Sequence, residues 1–205
     1  MIDGSRLNDA RLDVSRHAAR LFWEKGFDAT SGDDIAAAAG ISTRTVWRYF
    51  RSKEACVEPV LKVSELRFAA LLKQWPGKES IDQFLTRSMA AFVSDDAVVL
   101  DSIAAVRILA VLHREPALRS AWLMACHEAE MEIVGVVADR ASRSADDFHV
   151  RLCAASITAA MRLVDEEISS AVINDGLRVS SEEVTARIIL AIRAGATLPI
   201  CDAVA

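Results

Sequence analysis

GFDATSGDDIAAAAGISTRTVWRYFRSKEA, residues 26–55, sets two short helix signatures on either side of a glycine turn, then gathers four basic side chains with no acid between residue 36 and Glu54. Ser31 followed by Asp34 has the spacing of a capping box, in which a hydroxyl takes a free helix amide and a carboxylate returns to the cap. Ile35, Ala36 and Ala39 then supply an apolar face, and Gly40 ends this short helix. Ile41 anchors the turn, and Ser42 is placed to cap a third helix that begins at Thr43. Upstream, Val14, Ala18, Leu21 and Phe22 recur at helical spacing over 9–25, and the pattern stops at Gly26. Two short helices joined by a three-residue turn containing glycine make a helix-turn-helix.

The exposed face of the third helix follows from its pitch. At about 100° per residue, Val46 and Phe50 fall on one side while Arg44 and Arg48 fall on the other. Thr45 flanks the arginines, with Thr43 and Trp47 bordering one side and Tyr49 the other. Such a helix fits the DNA major groove, where an arginine can bond both acceptors of a guanine edge. Hydroxyls and ammonium groups around it can hold phosphates, which fixes register without reading sequence. Lys53 opens the next helix, whose free amides also favour an anion. A solvated basic face would carry the same charge, so charge alone does not decide the matter.

The rest of the chain bounds the answer. Of its 205 residues 52% are hydrophobic, enough for a sizeable core, and only eight Gly and four Pro are present. No stretch sustains the apolar/polar alternation of a strand, so the expected fold is all-α. The net charge of −5 divides unevenly: residues 1–55 carry +1 and residues 56–205 carry −6, which suggests two functions in one chain. The longest uncharged run of the apolar C-terminal half, 152–161, is about half of the roughly 20 residues a membrane span needs. MIDGSRLNDARLD offers no basic segment followed by an apolar one, so no secretory signal is expected and a cytoplasmic protein is the simplest reading. Cys56, Cys126, Cys153 and Cys201 form no C-x-x-C pair, and reduced, packed thiols are expected.

Gly26-Phe27, Thr30-Ser31, Asp34-Ile35-Ala36, Ala39-Gly40-Ile41-Ser42, Thr45, Tyr49-Phe50 and Lys53-Glu54 stand in the order and pattern of the TetR (tetracycline repressor-like) family of bacterial transcriptional regulators, which this stretch resembles. The resemblance implies a helix-turn-helix DNA-binding domain over 1–55 and a helical ligand-binding and dimerisation domain over 56–205. It places Thr43, Arg44, Thr45, Trp47 and Arg48 on the recognition helix, and Thr30, Tyr49 and Lys53 at the DNA backbone. Trp47 stands where the family often has Tyr or Phe. Gly32 stands where a branched apolar residue is usual, which predicts looser packing of the second helix. The implied function is a homodimeric repressor on a near-palindromic duplex operator, released by a small, largely apolar effector.

Beyond residue 53, helices are expected over 53–75, 80–94, 97–113, 116–142, 146–173 and 180–196, about nine in the whole chain. Ser80 with Gln83 and Ser180 with Glu183 read as capping boxes. Ala154, Ala155, Ala159 and Ala160, with Val184, Ile188, Ile189 and Ile192, could form the dimer face, although a core within one chain would look the same. Leu85, Met89, Phe92, Ile103, Arg107, Trp122 and Cys126 are the candidate effector residues, each apolar one equally readable as core. Arg107 interrupts SIAAVRILAVL, where it can bind an anionic group or pair with Glu128 or Asp165. No metal site and no cofactor are expected, because no set of ligands has the required spacing. Two other readings stay open: a small all-α enzyme with a basic substrate site, although no catalytic motif is present, and a DNA-binding scaffold without a small-molecule ligand.

Overall fold

The computed structural model describes residues 4–92 and 96–204, and within them the chain forms nine α-helices and no strand. The first, α1 (Gly4–Lys25), buries Val14, Ala18, Ala19, Leu21 and Phe22 along one side and gives way to Gly26 at φ +90°. Helix α2 (Gly32–Ala38) opens with the expected capping box: Asp34 N donates to Ser31 Oγ at 3.1 Å, and Ser31 N donates to the Asp34 carboxylate at 2.9 Å. Lys25, 2.7 Å away, and the Ser31 hydroxyl hold that carboxylate well below its usual range. Gly40, at φ +66°, makes the turn into α3 (Thr43–Tyr49), where Thr45 N donates to Ser42 Oγ at 3.1 Å.

The expected helix from residue 53 is broken at its start. A 3-10 turn (Glu54–Val57) precedes α4 (Glu58–Leu72), whose second residue, Pro59, lacks an amide and is tolerated only in a first turn. Helix α5 (Ile81–Phe92) begins with reciprocal Ser80 and Gln83 bonds of 3.3 and 3.1 Å; its expected end at 94 lies outside the described residues. Helix α6 (Asp96–Leu109) stops short of 113, and the chain turns through 110–114 while Asn174 Nδ2 donates to the Ala110 carbonyl at 3.2 Å. Then come α7 (Pro116–Ala141), α8 (Phe148–Ile173), capped by Asp147, and α9 (Ser181–Gly195), capped by Ser180. In α9 only half of the expected capping box forms: Glu183 N donates to Ser180 Oγ at 3.1 Å, while the Glu183 carboxylate turns away and accepts from Arg187 at 2.7 Å.

Two apolar clusters organise these helices. One joins α1, α2 and α3 to the 3-10 turn, the start of α4, the end of α6 and the start of α7, with Phe22, Ile35, Val46, Leu61, Ile108 and Trp122 at its centre. The core of the head therefore continues past residue 55 through Val57, Val60 and Leu61. The other cluster packs the rest of α4 with α5, α7, α8 and α9. At its edge Gly195 touches α8 backbone to backbone: a Cβ there would lie 2.8 Å from Ile157 Cα and Ser156 O. Ala154, Ile188 and Ile192 are buried inside this cluster, which corrects the expectation that they form a dimer face. Their burial pairs α8 with α9 inside one chain. Leu152, Ala159, Leu163 and Leu190 remain exposed on the outer side of the same two helices.

The C-terminal segment is tied down by Arg140, a residue the sequence did not single out. Its buried guanidinium donates to the carbonyls of Ile200 (2.7 Å), Pro76 (3.0 Å), Asp202 (2.7 Å) and Glu79 (3.3 Å), and lies 3.4 Å above the Trp75 ring. All four cysteines are buried free thiols, and burial pushes Cys56 up to about 12.

Candidate functional site

The outward face of α3 is built as its periodicity dictates. Val46 is fully buried and Phe50 nearly so, which drives the opposite face into solvent. Arg44 and Arg48 are exposed there and form no ion pair among the described residues; Arg48 lies 5.4 Å from the Tyr49 ring centroid. The two flanking threonines are already engaged. Thr43 Oγ1 donates to Asp33 at 2.5 Å, joining the start of α3 to the start of α2, and Thr45 Oγ1 lies 2.9 Å from Ser42 Oγ. The ammonium of Lys53 donates to the Phe27 carbonyl at 2.6 Å over the Phe27 ring, which spends one of its three donors and leaves two.

Two expectations for this face need correction. Thr30 is 2% exposed, and its hydroxyl donates to the Gly26 carbonyl at 2.7 Å with the Leu21 carbonyl 3.3 Å away, so it holds the α1–α2 turn and has no proton for a phosphate. Gly32 does not loosen α2. A Cβ at that position would meet Trp47 Cζ2 at 2.2 Å, so the indole occupies the space that a branched side chain would fill. The two departures from the family pattern thus complement each other, and Trp47 stays 45% exposed beside the arginines.

A cavity of about 170 Å³ lies within the bundle between α4, α5, α6, α8 and α9, with Phe68, Met89, Phe92, Val106 and Met161 in its walls. Glu65, Phe68, Met161 and Asp165 are shared with a smaller space of about 20 Å³ beside α7, which also touches Cys126 and Thr158. Of the expected effector residues, Met89 and Phe92 line the larger space and Cys126 the smaller. Trp122 stands behind the wall, donating its indole N–H to Glu65 Oε1 at 3.2 Å. Leu85 is plain core, Ile103 faces outward at 45% exposure, and Arg107 lies outside both walls. Arg107 pairs with neither expected carboxylate: Glu128 is bonded to Lys62, and Asp165 has no ion-pair partner among the described residues. A further cleft of about 470 Å³ between α1, α4 and α7 touches none of the seven.

Burial pushes the Asp165 carboxyl well above the ordinary carboxylate range, and the nearby Glu65 and Glu166 carboxylates push it the same way. Glu65 is raised by burial against the opposing effect of the Trp122 bond, and burial also raises the Cys126 thiol. Among the described residues, no group of three or more His, Cys, Asp or Glu side chains is placed to hold a metal ion, and no helix is long and apolar enough to cross a membrane.

Asp101 connects cavity and head. It is fully buried on α6 and accepts from Arg16 of α1 at 2.6 and 3.1 Å and from Arg67 of α4 at 2.6 Å. Arg67 is also part of the larger cavity's wall. A shift of α4 or α6 would thus be felt at α1.

A helix-turn-helix whose second helix offers exposed arginines, packed on a helical bundle through a shared apolar cluster, defines the class as DNA-binding regulator. Residues 16–60 match the family described as bacterial regulatory proteins, tetR family. The HTH-type transcriptional regulator TcmR of Streptomyces glaucescens is 28% identical over 168 residues, which cover 79% of this chain and 74% of TcmR. The HTH-type transcriptional repressor KstR2 of Rhodococcus jostii is 40% identical over 60 residues, 29% of each chain. Among solved structures, a TetR-family transcriptional regulator from Streptomyces coelicolor shares the fold with a TM-score of 0.58 at 20% identity, over 91% of this chain and 80% of its own. Residues 16–60 thus carry the helix-turn-helix of the TetR family of bacterial transcriptional regulators, and the chain is similar to such regulators over most of its length. These relatives are transcriptional regulators, not enzymes, and none supports the enzyme reading.

Proposed function

We propose that this chain is a ligand-responsive repressor that binds a near-palindromic operator as a homodimer and leaves it when a small, largely apolar molecule enters the bundle cavity. The observation that carries this reading is the pair of exposed arginines, Arg44 and Arg48, opposite buried Val46 on α3 and without an ion pair among the described residues. Tyr49 and Lys53 are the proposed phosphate contacts beside them, and Trp47 with Thr43 and Thr45 completes the face. A seven-residue helix rises only about 10 Å and reads few base pairs. Two copies, about 34 to 36 Å apart or a multiple of that, supply the missing specificity.

The exposed side chains Leu152, Ala159 and Leu163 of α8 and Leu190 of α9 are the proposed dimer face. Occupancy of the cavity would move Arg67, and through Asp101 and Arg16 the head, changing the separation of the two α3 helices. If the effector lowers operator affinity 100-fold, the coupling is about 2.7 kcal/mol and DNA weakens effector binding by the same factor.

Selection from random duplexes, followed by sedimentation of the complex, tests the reading. The expected result is two symmetry-related half-sites bound by an even number of chains. Leu163→Glu should split the dimer and lower operator affinity with helix content unchanged. A wild-type monomer that binds its selected site tightly would contradict the proposal.

A further inference from the structure

Two half-buried carboxyl side chains, Glu65 and Asp165, line the same largely apolar cavity from α4 and α8. Neither forms an ion pair among the described residues, and Glu65 accepts a hydrogen bond from the Trp122 indole N–H. Thr158, 7% exposed, lines the smaller space beside them, and its Oγ1 is buried with no hydrogen-bond partner. A buried polar atom without a partner costs free energy, so the Thr158 hydroxyl beside two carboxyls that lack a cation is poorly explained as packing.

We propose that the bundle cavity takes an organic cation, its charged nitrogen held between Glu65 and Asp165 and its apolar body among Phe68, Met89, Phe92 and Met161. This inference rests on the reading of the cavity as the effector site and adds the charge of its ligand.

The aromatic walls suit the same occupant. Phe68 and Phe92 meet edge to face with centroids 6.4 Å apart, and ring faces attract cations most strongly where water is excluded. The basic side chains nearby are less available to an anion. Arg67 is bonded to buried Asp101, and Arg162 touches only the smaller space. Arg107, the residue singled out in the sequence for an anionic group, lies outside both walls. Burial keeps both carboxyls biased toward the protonated form, and a bound cation would take over the role of that proton.

Calorimetry on the full chain with three probes of similar shape tests the charge: benzyltrimethylammonium, its neutral isostere neopentylbenzene, and phenylacetate. The expected result is at least tenfold tighter binding of the cation than of either other probe. Asp165→Asn should lose about tenfold in cation affinity while leaving neopentylbenzene unchanged, with Glu65→Gln as a second variant and circular dichroism confirming that both fold. Equal or tighter binding of neopentylbenzene or phenylacetate would overturn the proposal, as would cation preference that survives both substitutions, or no binding by any probe. A gel shift with the selected operator separates the two layers. If the cation is preferred but operator affinity does not change, the charge assignment stands and the effector reading of the cavity fails.

Discussion

Asp101→Asn breaks the one buried charge that α1, α4 and α6 share. The carboxylate is fully buried and accepts three hydrogen bonds from guanidinium groups, at 2.6 and 3.1 Å from Arg16 and at 2.6 Å from Arg67. Asparagine keeps the shape, removes the charge, and sets an amide N–H₂ where a guanidinium now donates. Breaking a buried pair by removing one partner costs about 3–5 kcal/mol. Here the arginine side chains keep 36% and 28% of their surface, so water recovers part of that loss. A net cost of about 2–3 kcal/mol is expected, near the value of one or two charged hydrogen bonds. In a chain of this size that corresponds to a fall in Tm of about 4–12 °C. Thermal melts followed by far-UV circular dichroism measure it. Arg67→Met should cost less than Asp101→Asn, and the double variant should cost less than the sum, because both changes act on one contact. If Asp101→Asn melts with the wild type, or if the two effects add in full, Asp101 does not join head and bundle.

Other substitutions probe single contacts. Gly195→Val forces α9 away from the α8 backbone and should cost about 1–3 kcal/mol in urea unfolding; an unchanged midpoint would mean that α9 yields freely. Gly32→Ala pushes the Trp47 indole off α2, so stability should fall and should recover in the Gly32→Ala, Trp47→Leu double variant; failure to recover would refute the pairing. Asp165 is held above its ordinary pKa when folded, so the folded state binds its proton more tightly than the unfolded chain. Its contribution to stability is therefore complete below the ordinary aspartate range and is lost as pH rises through the folded value. Asp165→Asn should melt above wild type near neutral pH, with the gap closing in acid; a gap that does not vary with pH would contradict this.

Local signals read well from the chain and distant ones did not. The caps at Ser31, Ser42, Ser80 and Ser180 use partners within three residues, and all four form. The alternation of Val46 and Phe50 with Arg44 and Arg48 fixed the exposed face of α3, because helical pitch alone decides it. Thr30 failed because its place in the motif does not reveal which way its hydroxyl turns. Ile188 and Ala154 failed because an apolar stripe shows that a helix face is covered, not whether its own chain covers it. Asp101 finds its arginines 85 and 34 positions away. Glu65 and Asp165 meet only after α4 and α8 pack around one cavity. Arg140 draws its partners from two segments on either side of it in sequence. No window of sequence holds such groups together.

What α3 does at DNA is measured most directly by operator titrations of Arg44→Ala, Arg48→Ala and Lys53→Ala at several salt concentrations. Each arginine variant should lose about 1–3 kcal/mol of specific affinity and relax the preference at one base pair. Lys53→Ala should instead weaken binding to every sequence and reduce the salt slope by about one. Wild-type affinity and wild-type sequence preference in both arginine variants would contradict the assignment of α3 as the helix that reads DNA.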